Sequence, residues 1–104
     1  MINILLVCSA GMSTSMLVKK MQEAAEKRDL EAKVWAVGDS ESHEESKKAD
    51  IILLGPQVKY LESKMKDRVN NEKPVSVIDM RVYGTMNGEK ALDNALEAHK
   101  NFNK

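Results

Sequence analysis

The chain has 104 residues, 42% of them hydrophobic and 31% charged, enough for one modest core and so for a single domain over 1–104. Sixteen Lys and Arg balance sixteen Asp and Glu, so the charge favours neither nucleic acid nor an anionic membrane surface as a partner. One cysteine cannot close an internal disulfide, which fits a reducing compartment. The apolar run at the start is short and lacks the basic lead of a signal peptide, and no stretch reaches the roughly 18 apolar residues of a membrane span. A cytoplasmic protein with no membrane insertion is expected.

Ile2 to Val7 (INILLV) is apolar apart from Asn3, with the length and β-branching of a strand buried on both faces. Cys8 closes it. Residues 9–15 (SAGMSTS) then carry no charge and, Met12 aside, are all small or hydroxylic. From Ser13 to Lys27, the apolar residues Met16, Leu17, Met21, Ala24 and Ala25 recur at helical spacing, with Ser13 or Thr14 as the cap. Ala32 to Val37 is a second strand, which Lys33 and Trp35 mark as an edge. Asp39 to Lys48 is polar and acidic, a short exposed helix or a loop. Ile51 to Leu54 is a fully apolar strand closed by Gly55-Pro56. Val58, Leu61, Met65 and Val69 form a further helical stripe, broken by Lys73-Pro74. Val75 to Met80 is a fourth strand, with Ser76 and Asp79 within it, and Ala91 to His99 is a last helix capped by Thr85 or Asn87.

Strands that alternate with helices imply an α/β fold, a four-stranded parallel sheet with helices on both faces. The two purest apolar strands, the first and third, belong in the centre, which gives the order 2-1-3-4. Such sheets bind ligands outside the carboxyl ends of their strands, at the switch point between the two central ones. Cys8 lies there on one strand and Gly55-Pro56 on the other.

A loop that leads from a central strand into a helix aims backbone N–H groups at one point, and the helix start adds partial positive charge. Gly11 permits a tight turn or close approach of an anion. Ser9, Ser13, Thr14 and Ser15 supply hydroxyl donors. The loop thus reads as a cradle for an anion built from neutral groups, and the same field favours the nucleophilic thiolate of Cys8. On residue types alone, a buried small residue followed by an ordinary helix cap explains the run equally well; its place at the switch point favours chemistry. His43, in the acidic stretch, and His99, in the last helix, are expected to be solvated. No spacing suits a metal, and neither a metal nor a cofactor is expected. Gln57 and Tyr83 sit in loops that should border the site, as contacts for phosphate or for a partner, with packing on the last helix an equal reading for Tyr83. Met12 and Met16 flank the loop and at helical spacing read as core, although an exposed Met12 would make an adaptable docking surface for two different partners.

The run CSAGMSTS opening directly from the first strand, LLGPQV in the middle and VIDMxxYGxMNG late in the chain closely resemble enzyme IIB of the phosphoenolpyruvate-dependent sugar phosphotransferase system. The lactose/cellobiose (N,N'-diacetylchitobiose) family is the specific likeness, and it spans essentially the whole chain. The resemblance implies that Cys8 accepts a phosphoryl group from a phosphohistidine of enzyme IIA and passes it to a β-disaccharide like cellobiose, chitobiose or lactose held by the membrane component, enzyme IIC. It implies that Ser9, Ala10, Gly11, Met12, Ser13, Thr14 and Ser15 form the phosphate-binding loop. A monomer is expected.

Low-molecular-weight tyrosine phosphatases use C-x5-R-S at the same place on a similar sheet. Here the arginine position holds Thr14. That arginine clamps the transition-state oxygens with two charged donors, so its absence argues against a phosphatase or an arsenate-reductase-like thiol enzyme. A regulatory module that senses phosphate is the alternative from another class. Asp79 falls near where the phosphatases keep an acid, but a carboxylate after a strand is most often a cap; Arg81 is expected to face solvent.

Overall fold

The computed structural model describes residues 1–8 and 12–102, with side chains for 1–8 and 15–102. Its elements in chain order are β1 (Ile2–Val7), α1 (Met12–Lys27), β2 (Ala32–Val37), α2 (Asp39–Glu45) running on into a 3-10 turn (Ser46–Lys48), β3 (Ile51–Leu54), a 3-10 turn (Pro56–Leu61) leading into α3 (Glu62–Arg68), β4 (Val75–Val77), α4 (Met80–Gly84) and α5 (Gly88–Phe102). The strands are parallel and lie in the order β2-β1-β3-β4, as the sequence implies.

The alternation of side chains along a strand divides the core in two. Ile4 and Leu6 of β1, with Cys8 just after it, join Ile51 and Leu53 of β3 under Leu17, Met21 and Ala25 of α1 and Ala91, Leu92 and Ala95 of α5. Leu5 and Val7 join Ile52 and Leu54 on the other face, under Val58, Leu61, Met65 and Val69. Ile4 to Val7 and Ile51, Ile52 and Leu54 are wholly inaccessible. Each such aliphatic side chain contributes about 1.5–3 kcal/mol by leaving water, which is why these two strands take the centre.

The outer edge of β2 is held by one side chain of α1. Gln22 Nε2 donates to the Ala32 carbonyl (2.8 Å) and its Oε1 accepts from Val34 N–H (3.2 Å). The amide thus takes the place of a missing neighbouring strand. Where α5 starts, a Cβ on Gly88 would stand 2.4 Å from the Lys20 carbonyl carbon and 2.6 Å from Lys20 Cβ. Only glycine lets α5 cross α1 so closely.

Local differences from the sequence reading have identifiable causes. β4 ends at Val77, not Met80, because Asp79 starts α4: its carboxylate accepts from Arg81 N–H at 3.1 Å. The helix expected from Val58 begins instead as the Pro56–Leu61 3-10 turn, with Val58 at φ −118° and ψ 26°, although all four apolar positions of its stripe are buried. Asp39 to Lys48 is helical and not wholly exposed. Ser42 and Ser46 face inward, their hydroxyls donating to the Asp39 and His43 carbonyls at 2.7 and 2.8 Å. Arg68 ties α3 to this helix through Asp39 (3.1 Å) and Ser42 (2.8 Å). α5 is capped by Asn87, which accepts from Lys90 N–H at 3.0 Å, whereas the Thr85 hydroxyl turns back to Arg81 O. α1 starts at Met12, so Ser13 and Thr14 lie inside its first turn rather than capping it. Met16 is half exposed, off the buried face of α1.

Candidate active site at the carboxyl edge of the sheet

The strand register decides what surrounds Cys8. β1 pairs Val7 with Val37 on one side and with Leu54 on the other. One step further, Cys8 falls between Gly38 and Gly55. Main-chain bonds carry the pairing to that step: Cys8 N–H donates to Val37 O (3.1 Å), and Gly55 N–H donates to Val7 O (3.0 Å). Next to β3, Ile78 N–H donates to Leu54 O (2.8 Å), so the end of β4 arrives at the same edge. The thiol is thus fixed by two rigid neighbours and flanked by residues without side chains.

Gly55 has its alternation in common with Leu53, and Cys8 with Leu6, so both address the α1–α5 face. A Cβ on Gly55 would stand 2.7 Å from Cys8 Sγ and 2.8 Å from Gln57 Oε1. Glycine is required here for close approach, not for its conformation, since φ −63° and ψ 151° suit any residue. On the other flank, a Cβ on Gly38 would lie 3.4 Å from Glu41 Oε2 and 3.8 Å from Cys8 O, so a carboxylate belongs to this rim. A groove of about 650 Å³ runs beside it, between the end of β2 and α2, lined by Ala36, Val37, Gly38, Ser40, Glu41, Glu44 and Glu45.

Cys8 itself is buried, at 3% exposure, within the apolar cluster below α1 and α5. Ser9, Ala10 and Gly11, expected to form the phosphate cradle, lie outside the described residues, as do the side chains of Met12, Ser13 and Thr14. Ser15 is exposed in the first turn of α1. Gln57 is exposed, on the 3-10 turn that Pro56 begins, with its amide oxygen beside the sulfur as just described. Tyr83 is not in a loop but in α4, and it is buried in the same cluster as Cys8, Leu92 and Ala95. That is the packing reading. Asp79 spends its carboxylate on the α4 cap, and Arg81 is exposed. His43 is solvated, but His99 is half buried, unlike the expectation.

Sequence reasoning missed the apolar rim. Met80 is 71% and Tyr60 76% exposed, and Met16 is 50% exposed. Each stands on the segment that follows the carboxyl end of a strand. Tyr60 falls outside the Val58–Leu61–Met65 stripe, which was the available signal; Met80 was assigned to a strand that ends before it. Among the described residues, no three His, Cys, Asp or Glu side chains converge, and no helix is long and apolar enough to cross a membrane.

Comparison with known proteins agrees with this architecture. Residues 3–94 match the family model described as "PTS system, Lactose/Cellobiose specific IIB subunit". The chain is 47% identical over 94 residues to the oligo-beta-mannoside-specific EIIB component of Bacillus subtilis, covering 89% of this chain and 91% of that one. It is 38% identical over 95 residues to the galactose-specific EIIB component of Lactococcus lactis subsp. cremoris, covering 86% and 88%. The solution structure of a cellobiose-specific IIB component from Borrelia burgdorferi superposes with a TM-score of 0.80 at 38% identity, over 96% of this chain and 93% of that one. A lactose-specific IIB domain from Streptococcus pneumoniae has the same fold, with a TM-score of 0.84 at 19% identity over 93% and 96%.

Proposed function

The chain belongs to the lactose/cellobiose-specific IIB subunits of the phosphotransferase system, and we propose that it is a phosphoryl carrier that works through Cys8. The observation that supports this most is the setting of the thiol: the carboxyl end of a central strand, between Gly38 and Gly55, with α1 beginning at Met12. In the first transfer, Cys8 Sγ attacks phosphorus. The Sγ–P bond forms as the N–P bond of a IIA phosphohistidine breaks, and the thiol proton ends on the released imidazole. In the second, the Sγ–P bond breaks as a sugar hydroxyl held by IIC takes the phosphoryl group, and the hydroxyl proton returns to sulfur. Both steps are positioning and electrostatics.

Residues 9–15 hold the phosphoryl group through main-chain N–H groups and hydroxyls, helped by the positive end of α1. Neutral donors retain the group without the guanidinium that would stabilise attack by water, since Thr14 occupies the arginine position of the phosphatases. Asp79, engaged as a cap, adds nothing to a phosphatase reading. Met16, Tyr60 and Met80 on the rim give an adaptable surface on which IIA and IIC dock in turn. The protein acts as a cytoplasmic monomer, and its sugar is a β-linked oligosaccharide of the cellobiose, chitobiose or lactose kind. Incubation with a phosphorylated IIA, followed by peptide mapping, tests the first transfer. One phosphoryl group is expected on Cys8 and none on a folded Cys8→Ser protein; label on His43 or His99 contradicts the reading.

A further inference from the structure

Gln57 has the geometry of a direct contact to the phosphoryl group, and we infer that its side-chain amide is a donor to that group when Cys8 is loaded. This rests on the carrier reading above. The missing Cβ of Gly55 marks one point in space, with Cys8 Sγ 2.7 Å from it and Gln57 Oε1 2.8 Å from it. The amide therefore stands beside the sulfur, across the gap that glycine leaves.

The turn that carries Gln57 is fastened to the strand that carries the cysteine. Gly55 N–H is bonded to Val7 O (3.0 Å), and Val58 N–H closes back on Gly55 O (3.0 Å). Pro56 stiffens the first position of the turn. The main chain of Gln57 is thus held at the site while its exposed side chain keeps freedom to rotate.

The amide oxygen is the end that stands beside the bare sulfur. A phosphoryl dianion on the same sulfur repels it. The two ends of the amide have the same shape, so half a turn of the last torsion presents Nε2–H instead, with no change in the main chain. Gln57 thereby supplies a further donor from the turn after β3, and it is again a neutral one. Glutamate at this position would be wrong in both senses, as it has no donor and repels the group. The arrangement also gives Gly55 a reason to be glycine: a methyl there would separate the amide from the group it contacts.

The test uses the isolated, phosphorylated protein, so that partner docking plays no part. Phosphorus NMR follows the second ionisation of phosphocysteine in the wild type and in Gln57→Ala. Losing one hydrogen bond to a dianion should make that group harder to ionise, by roughly tenfold in its acid constant. The equilibrium of loading from phosphorylated IIA should fall by a similar factor, and further for Gln57→Glu at neutral pH. The Gln57 side-chain NH₂ resonances should move on phosphorylation. An unchanged phosphorus titration in Gln57→Ala, with wild type loading normally on Cys8, overturns the contact while leaving the carrier intact. Failure of the wild type to load on Cys8 removes the carrier reading, and this contact with it.

Discussion

Replacing Gly55 with alanine tests the packing around the thiol by itself. The new methyl would stand 2.7 Å from Cys8 Sγ and 2.8 Å from Gln57 Oε1. The glutamine end is exposed and swings aside at little cost. The sulfur does not, because it is buried at 3% exposure on a strand end held by main-chain bonds to both neighbours. Overpacking of this kind costs about 1–3 kcal/mol. Against it stands a gain of about 0.4–1 kcal/mol, because alanine restricts the unfolded chain and the backbone angles here suit it. The two together leave a loss of about 1.3 kcal/mol at mid-range, within limits of about 0–2.6 kcal/mol, or a melting temperature lower by about 5–10 °C at mid-range. In a Cys8→Ala background the sulfur is gone, and apart from the movable Gln57 end the remaining contact is the Cβ of residue 8 at 3.7 Å, an ordinary separation. There the same Gly55→Ala change should be neutral or stabilising. Urea unfolding of the four proteins gives the coupling directly, expected at about 1–3 kcal/mol. Equal destabilisation in both backgrounds would refute the claim that glycine serves the thiol.

Gly88→Ala should cost more, about 3 kcal/mol or above, because its methyl meets the Lys20 main chain at 2.4 Å and not a movable side chain; urea midpoints compare it with Gly55→Ala. Gln22→Ala frees the outer edge of β2 by removing two hydrogen bonds, with an expected loss of about 1–2 kcal/mol and faster amide exchange at Val34. The Lys48 hydrogen bond, aided by Trp35 Nε1–H at 3.0 Å, holds the Glu45 carboxyl below the ordinary glutamate range. A depressed folded-state value means that the stabilisation is complete above the unfolded value and lost as pH falls through the folded one. Trp35 fluorescence should therefore report a transition below the usual glutamate range, absent in Glu45→Gln.

The order of the sheet was legible because burial of a strand on both faces needs unbroken apolar text, and only ILLV at 4–7 and IILL at 51–54 provide it. The place of Cys8 at the switch point was legible for the same reason, as the first residue past the end of a central strand. Of the glycine flanks, Gly55 was legible as the end of the third strand, whereas the place of Gly38 beside Cys8 follows only from the register. Other features were less legible. Asp79 was placed inside the fourth strand as well as read as a cap, and its bond to Arg81 N–H decides for the cap of a short helix. Ser42 and Ser46 are buried against expectation because their hydroxyls find carbonyls three residues back, a satisfaction that hydropathy does not register. Tyr83 was set in a loop because α4 is too short, at five residues, to show a helical period.

A carrier differs from a phosphatase in what becomes of its phosphoryl group. The wild-type protein, loaded from phosphorylated IIA and freed of it, should keep the group on Cys8 in buffer. It should discharge only when membranes bearing its IIC and the cognate sugar are added together, with sugar phosphate appearing in equal amount. Rapid release of inorganic phosphate from the isolated protein, or loading that never discharges to sugar, would contradict the assignment of Cys8 as a phosphoryl carrier.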